Sequence, residues 1–195
     1  MLLLLAALVA YLLGSIPFGI VVTRLFGLGD IRKIGSGNIG ATNVLRTGSK
    51  SAALTTVLLD AGKGLLAVIG ARALVGEDAA QVAALFSFLG HLFPVWLGFR
   101  GGKGVATLLG AIVGLSPLLG FVALMAWLFT FFVYRISSLS ALMAAPFTVL
   151  VAFLVDERDM LAFLIVSGAL MIWKHWPNVR RLIDGTEPTT SWSKK

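Results

Sequence analysis

The sequence predicts an all-α integral membrane protein with seven transmembrane helices, amino terminus outside and carboxyl terminus cytoplasmic, forming one domain over residues 1–195. Composition is the first support: 58% of residues are hydrophobic and only 13% charged, a balance that soluble globular domains seldom reach. The second is a series of long apolar runs, and the third is the side of the membrane on which their basic flanks fall.

Residues 1–23 carry no charged side chain, and 23 helical residues at ~1.5 Å each reach ~34 Å, enough to cross a ~30 Å hydrocarbon core. A cleaved signal peptide is the alternative. The run lacks the basic flank and clear cleavage site of one, and Gly14-Ser15-Ile16-Pro17 interrupts it. Residues 24–50 are polar and rich in glycine, too hydrophilic to span and too long for a simple turn. Further apolar segments cover residues 51–71, 79–99, 105–134, 136–155 and 160–173. The 105–134 run exceeds one crossing, and Gly114-Leu115-Ser116-Pro117 divides it into a hairpin whose first half is short for a span.

Charge decides the parity. With the 105–134 run divided, the cytoplasmic segments hold 13 of the 16 basic residues, among them Arg24, Arg32, Lys33, Arg46, Lys50, Arg100, Lys103, Arg135, Lys174, Arg180 and Arg181. The opposite loops are acidic, with Glu77, Asp78, Asp156, Glu157 and Asp159 beside Arg72 and Arg158. The net charge of +7 is thereby a matter of membrane topology, and a nucleic-acid partner is excluded because no soluble basic domain exists.

The chain has no cysteine, so every thiolate mechanism, thiol nucleophile and disulfide framework is ruled out. Metal catalysis is not expected either. The cytoplasmic segments offer only Asp30, Asp184 and Glu187 as carboxylates, without ligand spacing, and no cofactor is predicted.

Three polar sets carry the chemistry. In the first loop Gly35, Gly37 and Gly40 spell GxGxxG, yet a dinucleotide site requires a preceding strand and a βαβ unit, whereas a transmembrane helix precedes this one. What remains is a loop in which glycine backbone approaches an anion, Ser36, Asn38, Thr42 and Asn43 add donors, and cations including Arg46 neutralise charge. That suits a phosphate better than mere attraction to lipid headgroups, which requires no glycine. The second set, Gly101-Gly102-Lys103-Gly104, opens a helix, whose amino-terminal N–H groups and dipole favour anions. It is not a Walker A motif: position 97 is leucine and no Ser or Thr follows Lys103 directly. The third set joins Arg135, Ser137 and Ser138 to a tail with His175, Asn178 and Glu187. The predicted topology puts all three sets on one side, where a shared basic basin would take two anionic groups. His175 has the chemistry of a general base.

Within the helices, Asp60 and Lys63 are spaced to face one another and should pair or line a wet cavity, and His91 should pack or bond across helices. Trp96, Trp173 and Trp176 read as interfacial anchors, and the tail after Glu187 as mobile and dispensable.

The sequence resembles the bacterial acyl-phosphate:glycerol-3-phosphate acyltransferase family. The resemblance is carried by Gly14-Ser15-Ile16-Pro17-Phe18-Gly19, residues 35–46, Leu59-Asp60 with Lys63-Gly64, Gly90-His91 with Phe93-Pro94, residues 101–107, and His175, Asn178, Arg181, Gly185 and Glu187. It implies seven membrane helices and a cytoplasm-facing site in the bacterial inner membrane. It also implies a reaction of acyl phosphate with glycerol 3-phosphate to give 1-acylglycerol 3-phosphate (lysophosphatidic acid) and inorganic phosphate, the first acylation of phospholipid synthesis. Its partners would be these two substrates, membrane lipid and the enzyme that supplies acyl phosphate. On this reading Ser36, Arg46, Lys103, His175 and Asn178 are catalytic. Gly35, Gly37, Asn38, Gly40, Thr42, Asn43, Gly101, Gly102, Gly104, Arg135, Ser137, Ser138 and Glu187 bind substrate. The competing class is a transporter of phosphate esters or other anions, for which inverted repeats and broken midplane helices are the missing signs.

Overall fold

The computed structural model describes residues 1–190, and within them every regular element is helical. Lys194 and Lys195, counted above as cytoplasmic, lie outside the described residues. Two compact units divide the chain, the first ending at Leu115 and the second beginning at Ser116.

The first unit contains α1 (Leu2–Gly14), α2 (Phe18–Leu25), α3 (Ala41–Leu45), α4 (Lys50–Leu74), α5 (Glu77–Leu92) and α6 (Val105–Leu115), with short 3₁₀ turns at Ile31–Lys33 and Val95–Leu97. Pro17 separates α1 from α2, because it lacks an N–H and its ring disfavours a helical residue before it. Ser49 caps α4 by accepting the Ala52 N–H at 3.2 Å. α5 packs against α1 and α4, α6 packs against α4 and α5, and α2 and α3 lean on α4. The crossings are close because small residues sit at them. A Cβ on Gly90 would strike the Tyr11 carbonyl of α1, and one on Gly110 would strike that of Ala61 in α4.

The second unit holds α7 (Pro117–Tyr134), α8 (Ser137–Leu154), α9 (Leu161–Lys174) and α10 (Trp176–Ile183), with a 3₁₀ turn at Arg158–Met160. Ser116 and Pro117 start α7 as expected: the serine hydroxyl accepts the Leu119 N–H at 3.2 Å, and proline takes a first-turn position that needs no intrahelical donor. α7 packs on α8, α8 on α9, and α10 on α9.

Large apolar side chains point outwards, as at Leu4, Leu58, Phe129 and Ile165, while the buried positions of α5 include Ala79, Ala80, Ala83 and Ala84. This inversion of a water-soluble fold follows from a lipid solvent, in which large apolar groups lose nothing by exposure and close packing falls to small ones. Five helical runs are long and apolar enough to cross a membrane: Leu2–Leu25, Lys50–Leu74, Glu77–Leu97, Pro117–Tyr134 and Ser137–Leu154. A sixth arises if Arg158–Lys174 and Trp176–Ile183, bent by 63°, count as one span. The division of 105–134 occurs where expected, but its first half, α6, has 11 residues and covers only about half the hydrocarbon thickness.

Candidate active site

Asn43 organises the first loop. Its buried amide Nδ2 donates to the carbonyls of Ile31 (3.0 Å), Ile34 (2.9 Å) and Asn38 (2.9 Å). Its Oδ1 accepts the Ser36 N–H at 3.1 Å and Arg46 Nη1 at 3.3 Å. Its two N–H hydrogens already serve three carbonyls, so the side chain shapes the loop from within. The same geometry supports two other expected residues, since it fixes the backbone of Ser36 and the guanidinium of Arg46, both of which are exposed. Gly35 is required between them: a Cβ there would press on Asn43 Oδ1 and the Arg46 side chain.

The cations of this loop are not equivalent. Arg32 is held by Asp30 through Nε (2.9 Å) and Nη2 (2.8 Å), and these bonds keep the Asp30 carboxyl far below its ordinary range. Its charge is therefore offset locally, unlike that of Arg46. Gly37 N–H is given to the Ile34 carbonyl at 2.9 Å. Asn38, Gly40 and Thr42 follow in the same loop, Gly40 accepting the Asn43 N–H at 2.9 Å as α3 begins.

The second loop folds back onto the end of α5. Gly101 N–H donates to the Leu92 carbonyl at 3.2 Å and Gly102 N–H to that of His91 at 3.1 Å. These N–H groups are thus given to the protein's own carbonyls, and the glycines serve close approach. Gly104, at φ +76°, turns the chain into α6, and its carbonyl accepts the Leu108 N–H at 2.8 Å. Lys103 is left half-buried immediately before the amino terminus of α6.

Beneath this loop lies a polar group inside the helices. Lys63 Nζ pairs with Asp60 Oδ1 at 2.7 Å, as their spacing predicts, and also reaches the Ile16 carbonyl (2.7 Å) and His91 Nδ1 (3.0 Å). Thr107 Oγ1 lies 3.2 Å from the same His91 nitrogen. Each isolated charge would cost roughly 2.5–3.5 kcal/mol at a bilayer centre, which explains why the two charges are paired. His91 bonds across helices as expected, but that its partners are Lys63 and Thr107 has no signal in sequence spacing.

In the second unit Glu187 is the centre of a separate cluster. Its Oε1 accepts from Ser138 Oγ (2.6 Å) and Asn178 Nδ2 (2.5 Å), and its Oε2 from Arg181 Nε (2.7 Å). Burial pushes the carboxyl up, but the bonds from Ser138, Asn178 and Arg181 outweigh it and hold Glu187 below the ordinary glutamate value. Gly185, at φ +66°, makes this possible by reversing the chain after α10, so that the Thr186 and Glu187 N–H groups return to the Arg181 carbonyl. Both oxygens of Glu187 accept from protein donors, so the carboxylate ties Ser138, Asn178 and Arg181 together. Arg181 is the residue omitted from the expected site. After Glu187 the chain is anchored at Thr190, whose N–H donates to the Arg135 carbonyl at 2.7 Å, while the rest of the tail expected to be mobile, residues 191–195, lies outside the described residues. The Arg135 side chain is exposed, and Ser137 opens α8.

His175 sits at the junction of α9 and α10, buried, with Nδ1 2.8 Å from the Met171 carbonyl. A carbonyl only accepts, so Nδ1 carries the proton and a neutral ring has its lone pair on Nε2, the arrangement a general base needs.

Comparison with known proteins adds a family. Residues 4–185 match the family described as glycerol-3-phosphate acyltransferase. A protein of that name from Cereibacter sphaeroides is 61% identical over 186 residues, covering 95% of this chain and 89% of its own length. One from Dinoroseobacter shibae is 56% identical over 194 residues, with 100% and 96% covered. Among solved structures, PlsY (YgiH), an integral membrane glycerol 3-phosphate acyltransferase in its glycerol 3-phosphate form, matches with TM-score 0.91 and 39% identity, covering 97% of this chain and 96% of that one. Its lysophosphatidic acid form gives TM-score 0.90 at 38% identity, with the same coverage.

Proposed function

The chain belongs to the glycerol-3-phosphate acyltransferase family and is an integral membrane enzyme that acylates glycerol 3-phosphate to lysophosphatidic acid, and we propose that its donor is acyl phosphate. The anion-transporter alternative falls with the family match. The observation that carries the donor assignment is the chemistry of the residues: the chain has no cysteine, and its candidate site offers cations and polar groups. Acyl phosphate is a mixed anhydride with a good leaving group, so positioning and charge neutralisation suffice without an acyl-enzyme. The C1 hydroxyl oxygen of glycerol 3-phosphate attacks the acyl carbonyl, the C–O bond to phosphate breaks, and the hydroxyl proton leaves to a base.

In the first unit, Ser36, Arg46 and Lys103 are the phosphate ligands, held in place by Asn43 and by the backbone of Gly35, Gly37, Gly101, Gly102 and Gly104. In the second, His175 orients or deprotonates the attacking hydroxyl with Asn178, while Arg135 and Ser137 add a cation and a hydroxyl. The acyl chain lies among the apolar helices, where burial contributes about 0.8 kcal/mol per methylene. The enzyme sits in the bacterial cytoplasmic membrane with seven crossings, α6 being the short one, and its basic loops, hence the site, face the cytoplasm. The excess of Lys and Arg on those loops supports this orientation.

Purified protein with palmitoyl phosphate and radiolabelled glycerol 3-phosphate is expected to release labelled lysophosphatidic acid and one inorganic phosphate per turnover. Equal turnover with palmitoyl-CoA and none with palmitoyl phosphate would overturn the donor assignment.

A further inference from the structure

Asp60, Lys63, His91 and Thr107 are buried, and the reaction as described uses none of them. The Lys63 ammonium has three N–H donors, and three acceptors surround it: the Ile16 carbonyl at 2.7 Å, Asp60 Oδ1 at 2.7 Å and His91 Nδ1 at 3.0 Å. An ammonium so saturated has nothing left for a substrate. Its effect is on the histidine. Having no lone pair, it makes His91 Nδ1 an acceptor, so a neutral ring carries its proton on Nε2.

Nε2 is the edge of the ring that faces Gly102, where a Cβ would fall on that atom. Backbone bonds reinforce the contact, Gly102 N–H to the His91 carbonyl at 3.1 Å and Gly101 N–H to the Leu92 carbonyl at 3.2 Å. On the other side of Lys103, Thr107 in the first turn of α6 approaches the same ring at 3.2 Å. The imidazole therefore touches the chain both before and after Lys103, and the Lys63–Asp60 pair fixes its orientation.

We propose that His91 is a positioning residue, clamped by Lys63 and Asp60, that sets the Gly101–Gly104 loop and so aims Lys103 at a substrate phosphate. The inference rests on Lys103 being a phosphate ligand, as read above. His91→Asn is the informative variant, because its Oδ1 can replace Nδ1 as acceptor for Lys63 while the ring edge facing Gly102 is lost. It is expected to melt near the wild-type temperature yet to raise the KM for glycerol 3-phosphate or palmitoyl phosphate about tenfold. Gly102→Ala, which places a methyl on the ring edge, is expected to lower kcat/KM about a hundredfold, and adding His91→Asn should restore about tenfold of it by vacating that space.

Additive losses in this double-mutant cycle, or an unchanged KM in His91→Asn, overturn the positioning role. Lys103→Met separates the premises. If it leaves both KM values and kcat unchanged, the reading of Lys103 fails and the positioning proposal falls with it. If it is impaired while the cycle is additive, only the positioning role is refuted.

Discussion

Ser138 and Glu187, 49 residues apart in sequence, meet at 2.6 Å, and that bond ties the tail of the protein to the first turn of α8. Asn178 and Arg181 complete the set of donors, so the carboxylate joins α8, α10 and the returning tail.

Replacing Glu187 with Gln keeps the shape but removes the charge, and hydrogen bonds to charged groups are worth about 1.5–3 kcal/mol. Glu187→Gln should lower the melting temperature and expose the tail to proteolysis. The pH dependence has a definite sign. Glu187 is held below its ordinary value of 4.5, so its contribution is fully present above that pH and is lost as pH falls through the depressed folded-state value. The gap in melting temperature between wild type and Glu187→Gln should therefore narrow as the pH is lowered from 7 towards 3. A constant gap would show that the charge is not what holds the tail.

Asn43→Asp leaves Oδ1 in place and removes the two N–H donors that serve three carbonyls. The Ile31 and Ile34 carbonyls keep the N–H groups of Ile34 and Gly37, so the loss centres on the Asn38 carbonyl and costs about 1–3 kcal/mol, borne by the loop rather than by the transmembrane helices. Circular dichroism should stay helical while kcat/KM for glycerol 3-phosphate falls about a hundredfold as the positions of Ser36 and Arg46 relax. Wild-type kinetics would mean that the loop holds its shape without the amide.

With Nδ1 of His175 given to Met171, a base role belongs to Nε2. His175→Asn retains a donor near Nδ1 and has nothing at Nε2, so general-base catalysis predicts a loss of about 10²–10⁴ in kcat with little change in KM. The limb of the pH–rate profile that reports histidine ionisation should vanish with it. Near-normal turnover in His175→Asn and His175→Gln would leave the donor's own phosphate as proton acceptor.

Much of the fold was legible because chain breaks are local chemistry: Pro17 lies between α1 and α2, and Ser116-Pro117 caps and starts α7. The Asp60–Lys63 pair was legible from helical spacing alone. That His91 bonds across helices was legible too, but not that its partner is Lys63, 28 residues earlier, because no periodicity reports which helices cross. The glycine loops were half legible. Composition showed close approach to the backbone, but the N–H groups of Gly37, Gly101 and Gly102 bond to the protein's own carbonyls, and that depends on turns the spacing does not encode. The donors around the two oxygens of Glu187 are illegible for a related reason, since a carboxylate beside cations looks the same in sequence whether it meets substrate or the chain.

Arg32 and Arg46 lie in one loop, both exposed, and composition and charge alone treat them as equals. The structure does not, since Arg32 closes on Asp30 through two nitrogens whereas Arg46 lies across Gly35 beside Asn43 Oδ1. Exposed ion pairs contribute little, so Arg32→Ala should keep kcat/KM within about twofold of wild type. A guanidinium that binds a phosphate is worth about 1.5–3 kcal/mol, so Arg46→Ala should lose roughly 10- to 150-fold, with the loss concentrated in kcat/KM for a phosphate-bearing substrate. Arg46→Lys should recover only part, because a lysine keeps the charge but not the planar fork that meets two phosphate oxygens at once. Steady-state kinetics with both substrates varied decides it: equal losses at positions 32 and 46 would mean that the loop acts through its total charge, and Arg46 would lose its assignment as a phosphate ligand.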